Sequence, residues 1–176
     1  MSKTIILYST VDGQTLAICQ RIKHVLTEQG EQVSVVNLPD ASADHLAEVD
    51  KIVIGASIRY GKHRPELFRF IEQYKMLLDK KPNSFFTVNV VARKPEKNTP
   101  ETNPYMQKFL GLSAWQPAML AVFAGKIDYP RYRIVDKCMI RFIMWMTKGP
   151  TDTKGTFEFT DWNKVDEYAK QIAAQT

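Results

Sequence analysis

The sequence predicts a doubly wound α/β fold, a five-stranded parallel sheet with helices on both faces. Three observations predict it. Near-continuous apolar runs recur along the chain, at KTIILYS (3–9), DKIVIGASI (50–58), SFFTVNVVA (84–92) and MLAVFAGKI (119–127); such runs are strands buried on both faces. Stretches of helical spacing alternate with them, which is the rhythm of a parallel sheet. No repeat, low-complexity tract or linker divides the 176 residues, a length suited to one domain with a substantial core.

The elements follow in order. After the first strand, a helix from about Gln14 to Gln29 puts Ile18, Ile22, Val25 and Leu26 on one face and meets Gly30 as its stop. QVSVVNL (32–38) is the second strand, and a short helix follows around Ala43–Glu48. Beyond the third strand, Pro65 opens a helix with Leu67, Phe68, Ile71, Tyr74 and Leu78 at helical spacing. The fourth strand leads into RKPEKNTPETN (93–103), polar and proline-bearing, hence a loop. PYMQKFLGLSAW (104–115) is a helix before the fifth strand, GTFEFT (155–160) is β-like, and Thr160 is expected to cap a last helix, DWNKVDEYAKQIAAQ.

Composition narrows the function. Apolar residues make up 44% and charged residues 24%, as in soluble globular chains. No apolar run reaches the roughly 18 residues that span a bilayer, and the five-residue run near the N-terminus is too short for a signal peptide. Cys19 and Cys138 lie far apart without metal-ligand spacing, which points to a reduced, cytosolic compartment. His24, His45 and His63 are scattered, are expected on the surface, and suggest no metal site. A net charge of +5 calls for an anionic partner: nucleic acid, a membrane surface or an acidic small molecule. No basic stripe interleaved with stacking aromatics occurs outside residues 128–154, so nucleic acid is not expected.

Ligands of such sheets bind at the carboxyl ends of the strands, near the switch in strand order. The turns that matter are therefore 9–15, 56–63 and 89–94. The first, within YSTVDGQT (8–15), joins a buried strand to a helix N-terminus, whose backbone N–H groups carry partial positive charge. Hydroxyls of Ser9, Thr10 and Thr15 add neutral donors, and Gly13 lets the backbone approach a ligand closely. That is a phosphate cradle. It contains no Lys or Arg, and Asp12 is negative. Neither GxxxxGK with Ser or Thr nor GxGxxG occurs, so a single phosphate monoester fits better than a nucleoside triphosphate or a dinucleotide. On its residues alone, an ordinary βα turn with Ser/Thr capping explains the stretch equally well.

The stretch resembles the hydroxyl-rich phosphate loop of the flavodoxins, of the type Ser/Thr-x-Ser/Thr-x-Gly-x-Thr. IGASIRYG (54–61) is similar to the flavodoxin loop beside the isoalloxazine ring. Together with NVVARKPEKNTPETN (89–103) and DYPRYR (128–133), these stretches resemble one long-chain flavodoxin-like subgroup, the quinone-dependent protoporphyrinogen IX oxidases of enteric-type bacteria. The resemblance runs essentially end to end. It implies the strand order 2-1-3-4-5 in a single domain, residues 1–176, with the fifth strand interrupted by an insertion of about 128–154. It implies FMN, held by Ser9, Thr10, Val11, Asp12, Gly13, Gln14 and Thr15, by Ala56, Ser57, Ile58, Arg59, Tyr60 and Gly61, and by Asn89, Val90, Val91, Ala92 and Arg93. It also implies six-electron oxidation of protoporphyrinogen IX in heme biosynthesis, with menaquinone or ubiquinone as acceptor. The flavin carries that chemistry, so no catalytic side chain is assigned. The substrate's propionates suggest arginine partners. Arg59, Arg93, Arg131 and Arg133 lie in segments expected around the strand ends, although each is otherwise a solvated surface charge. Two departures from ordinary flavodoxins stand out. Those carriers are acidic, and they flank the flavin with aromatics on both sides. Here Tyr60 serves one side and NVVARK (89–94) offers none, which leaves one flavin face open to a substrate.

The insertion is peculiar in composition. From Lys126 to Lys148 six Lys/Arg face two Asp, so most of the net charge sits here. Wound as a helix from about Arg133, the stretch puts Arg133, Lys137, Arg141 and Lys148 within a sector of about 80°. Ile134, Val135, Cys138, Met139, Phe142, Trp145 and Met146 take the broad opposite face. This is the pattern of a helix lying in a membrane interface, with Arg133, Lys137, Arg141, Phe142, Trp145 and Lys148 as contacts. A lipid-soluble acceptor favours it, and with it a peripheral place on the cytoplasmic face of the bacterial inner membrane. The plainer reading packs the apolar face on the core or on a second subunit of a homo-oligomer. Competing functions are a flavodoxin-type electron carrier, an FMN-dependent quinone reductase, and a phosphate-binding module without redox chemistry.

Overall fold

Five strands align in parallel in the order β2-β1-β3-β4-β5 in the computed structural model, which describes residues Met1–Thr176. They are β1 (Lys3–Ser9), β2 (Gln32–Asn37), β3 (Lys51–Ser57), β4 (Asn83–Asn89) and β5 (Leu120–Ala124). The helices are α1 (Gln14–Glu28), α2 (Ala43–Ala47), α3 (Pro65–Lys80), α4 (Pro104–Leu112), α5 (Ile134–Met146) and α6 (Trp162–Ala174). A separate antiparallel pair, β6 (Lys126–Asp128) and β7 (Thr156–Glu158), stands off the main sheet.

Strand periodicity sorts the core into two layers. Ile5, Leu7, Ile52, Ile54 and Phe85 face α3 and α4, where Leu67, Ile71, Leu78, Met106 and Phe109 meet them. Ile6, Val53, Phe86 and Phe123 face α1 and α6, against Ile18, Ile22, Leu26, Val165 and Ile172. The four apolar positions expected on the first helix are all buried.

The structure departs from the sequence expectations where side chains compete with the backbone. The fourth strand stops at Asn89 rather than Ala92, because the Asn89 side chain accepts the Ala92 N–H at 3.0 Å and bends residues 90–93 into a 3₁₀ turn. The fifth strand ends at Ala124 and is whole: the excursion follows it. The segment 155–160 does not rejoin β4 but pairs with β6, Ile127 opposite Phe157. Asp161, not Thr160, caps α6, accepting from the N–H groups of Asn163 and Lys164. Thr160 instead donates to the Ala124 carbonyl at 2.7 Å, which pins the returning chain beside β5.

His63 is buried, contrary to the expectation of a surface histidine. Its Nε2 lies 2.9 Å from the Thr87 hydroxyl, and Phe68, Phe85 and Phe109 surround the ring edge to face. Burial, reinforced by the charge of Lys108, lowers its pKa to about 4 from the usual 6.5. The unfolded chain therefore binds one more proton than the native chain between those values, so stability falls as pH drops from 6.5 to 4. The loss should reach about 3 kcal/mol. The urea midpoint of His63→Gln, which keeps a partner for Thr87 and does not titrate, should fall less over this range than that of the wild type. Identical pH profiles would rule the effect out.

The excursion carries its own small core. Ile127, Tyr129 and Met144 are buried together, with Ile140, Ile143 and Phe157 against them. Only that side of α5 is packed. The face expected to be apolar, Ile134, Val135, Cys138, Met139, Phe142, Trp145 and Met146, points to solvent, with Ile134 80% and Trp145 71% exposed. The helix is thus divided three ways, and packing of this apolar face on the core is not what the fold does. The Gly149 N–H closes the C-terminus on the Met144 carbonyl at 2.7 Å, and Lys148 takes the left-handed position at φ 59°.

Candidate functional site

A cleft of about 950 Å³, open to solvent, lies outside the carboxyl ends of β1, β3 and β4, where the strand order reverses. Three walls come from the expected turns: Thr10, Asp12, Gln14 and Thr15; Ser57 to Gly61; and Asn89 to Val91 with Val88. The fourth is Tyr105 together with the excursion, through Lys126, Ile127, Tyr132, Ile140, Ile143, Met144 and Thr147.

The first wall is built to receive an anion. Gly13 adopts φ 89°, a left-handed conformation that turns the chain sharply into α1. No side chain caps that helix, so its first N–H groups are left for another partner. Thr10 accepts the Gly13 N–H at 3.0 Å and braces the loop. Thr15 is fully buried, and its Oγ1 has no partner in the protein. A buried hydroxyl without a partner costs about 1–3 kcal/mol, a cost that a ligand accepting its hydrogen would remove. Ser57 Oγ is likewise buried and unpartnered at the edge of the same cleft. Ser9, expected on the phosphate, is spent elsewhere: its hydroxyl donates to Glu66 Oε1 at 3.0 Å. Among the other expected contacts, Ala56 and Ala92 are buried in the core, Val11 is exposed, and Gly13 borders a smaller depression beside the cleft.

The second wall is a tight hairpin. Arg59 and Lys62 pair across Tyr60 and Gly61, both at positive φ, 53° and 80°, the signature of a type I′ turn. Gly61 suits that position, whereas a bulky tyrosine does not. Tyr60 stays 43% exposed over the cleft, and its hydroxyl donates to Asp136 of α5. Arg59 pairs with Asp12 and lies 3.7 Å from Asp136. Its guanidinium stands over the Tyr132 ring, 5.2 Å from the centroid. Burial opposes its charged form, but the bond to Asp12 together with the charges of Asp12, Tyr132 and Asp136 outweighs it and raises its pKa.

The four expected propionate partners are not together. Arg59 is engaged as just described. Arg93 donates to the Val90 carbonyl at 3.1 Å and to the Thr147 carbonyl at 2.9 Å, so it braces the C-terminus of α5 against the turn after β4. Arg131 lines the smaller depression with Asp12, Gly13, Gln14, Ala17, Lys126 and Asp128. Arg133, exposed, precedes α5. Sequence reasoning missed Tyr105, Lys126 and Tyr132, which only the tertiary path of the excursion and of α4 brings to the cleft. The available signal was the pair of tyrosines in DYPRYR, next to the arginines that were singled out.

These groups fit a flavin bearing a phosphate monoester. The uncapped helix and Thr15 suit the phosphate, Ser57 suits a sugar-alcohol hydroxyl, and Tyr60 with Val90 and Val91 suits an aromatic ring. Similarity to known proteins agrees. The flavodoxin domain matches residues 5–154. The chain is 45% identical over 99% of its length, and 96% of the relative's, to the Escherichia coli (strain K12) protein named protoporphyrinogen IX dehydrogenase (quinone). It is 40% identical to a protein of the same name from Leishmania major, over 98% of this chain and 75% of that one. Its fold matches oxidised Flavodoxin 2 from Bacillus cereus with a TM-score of 0.56 at 17% identity, covering 98% and 99% of the two chains. Flavodoxin 1 from the same organism gives 0.54 at 13% identity, covering 98% of each. Built on the flavodoxin sheet, with the cleft where that sheet reverses its order, the chain belongs to the flavodoxin family, in the branch of the protoporphyrinogen IX dehydrogenases (quinone).

Proposed function

We propose that the protein oxidises protoporphyrinogen IX to protoporphyrin IX, with FMN as its redox group and a respiratory quinone, menaquinone or ubiquinone, as acceptor, in heme biosynthesis. The observation that carries this is the fourth wall: an electron carrier needs no excursion arched over its flavin cleft, and a macrocycle does. Bound FMN supplies the two-electron chemistry. Thr15 and the first N–H groups of α1 hold its phosphate, and Ser57 the chain beyond it. Tyr60 covers one side of the ring, while Val90 and Val91 present an apolar surface without stacking and leave room for a porphyrinogen. Ile140, Ile143 and Met144 keep water from the apolar macrocycle. Arg59 and Arg93 are held in place by their own partners; Arg131 and Arg133 form no ion pair and remain candidates for the propionates, although they stand outside the cleft lining.

The exposed apolar face of α5, flanked by Arg133, Lys137, Arg141 and Lys148, rests on an anionic membrane surface. No helix is long and apolar enough to cross a membrane. The proposed attachment is peripheral, through this face of α5, on the cytoplasmic face of the inner membrane where quinone is at hand. The test is anaerobic. Porphyrinogen, made by chemical reduction of the porphyrin, and a quinone are mixed with the FMN-loaded protein, and porphyrin fluorescence is followed. Fluorescence should rise only when protein and quinone are both present. A rate equal to that without protein would overturn the proposal and favour an electron carrier.

A further inference from the structure

The phosphate loop contains no cation, and its one charged side chain, Asp12, is negative and tied to Arg59. The excursion brings two cations near it, Lys126 and Arg131, and of these only Lys126 also lines the main cleft. Lys126 opens β6 and lines the cleft beside Thr10, Gln14 and Thr15; it also borders the smaller depression against Gly13. Its neighbour Ile127 points the opposite way, into the excursion's core. Across the β6–β7 pair Lys126 stands opposite Glu158, and Gln14 Nε2 donates to Glu158 Oε1 at 2.9 Å. This side of the hairpin therefore abuts the N-terminus of α1. Lys126 has no carboxylate within ion-pair distance. An ammonium left single beside an uncapped helix start, with the buried and unpartnered Thr15 hydroxyl on the same wall, calls for an anion.

We propose that Lys126 is the cation of the phosphate subsite, neutralising the bound phosphate dianion and making the cleft select a phosphorylated flavin over an unphosphorylated one. This rests on the flavin reading of the cleft. Neutral donors fix where a phosphate sits, but their hold is local. A lysine adds attraction that reaches further, that salt screens, and that an uncharged ligand does not feel.

The experiment titrates apoprotein with FMN and with riboflavin, following quenching of flavin fluorescence at low and high salt. The wild type should bind FMN more tightly than riboflavin, with an FMN affinity that weakens as salt rises. Lys126→Gln should raise the Kd for FMN about tenfold at low salt, a figure that allows for partial solvent screening. It should leave riboflavin binding unchanged and flatten the salt dependence. Lys126→Arg should restore both. Equal weakening of the two flavins would make Lys126 a piece of wall, and no change in either would leave the phosphate to neutral donors alone; each result overturns the assignment while keeping the flavin reading. A wild-type protein that binds neither flavin overturns both.

Discussion

Replacing Thr15 with valine should weaken FMN by about 2 kcal/mol, roughly thirtyfold in Kd, and leave the apoprotein at least as stable as before. The two halves of this expectation have one cause. Thr15 is fully buried and its hydroxyl has no partner in the protein, so the empty loop bears the cost of desolvating it. Valine has the same shape without the hydroxyl and removes that cost. In the proposed complex the FMN phosphate would supply the missing partner, and valine would remove that bond, which is worth more than usual because the acceptor is charged. Thr10 acts differently. It braces the Gly13 N–H, so Thr10→Ala should loosen the loop and lower apoprotein stability as well as affinity. Titration with FMN and urea melts of the apoproteins separate the cases. An unchanged FMN affinity in Thr15→Val would move the phosphate away from this loop.

The second large effect concerns the outer face of α5. Phe142→Ser with Trp145→Ser should abolish sedimentation with vesicles at every salt concentration, because two aromatic side chains that insert into an interface contribute about 1.5–3 kcal/mol each. Both are more than half exposed, so the fold should not suffer. Arg133→Glu with Lys137→Glu and Arg141→Glu should release the protein from anionic vesicles in particular, at about 1 kcal/mol per charge removed, and should leave the residual attachment less dependent on salt. If both variants sediment as the wild type does, the face covers a protein surface, and the mass of the wild type in solution then decides whether that surface is a second copy of this chain.

The sheet was legible in the sequence because strands buried on both faces leave unbroken apolar runs, and because Gly30 and Pro65 mark where helices stop and start. The errors fell where one polar side chain decides the backbone. Asn89 ends β4 by bonding to Ala92, and Asp161 takes the cap expected of Thr160; neither choice shows in a pattern of apolar spacing. The turn after β1 was legible as a wall of the cleft because its residues are neighbours in sequence. Lys126, Tyr105 and Tyr132 were not, since they reach the cleft only through the path of distant segments. His63 was mistaken for a surface residue because a lone histidine carries no mark of the three phenylalanines that enclose it, at positions 68, 85 and 109. The solvent-facing stripe on α5 was visible as a helical pattern, but only the fold shows that a different side of the helix does the packing.

Arg59 joins three segments that are remote in sequence. It belongs to the hairpin after β3, binds Asp12 of the phosphate loop, and reaches Asp136 of α5, to which Tyr60 also bonds. Filling the cleft and seating the excursion are therefore not independent events, and such coupling is reciprocal. Asp12 and Asp136 thus share one guanidinium, and a change at either carboxylate alters the charge that the other one faces. A surface that gripped α5 from outside would bear, through this one arginine, on the loop at the far side of the cleft, and flavin content measured with and without vesicles would read that link.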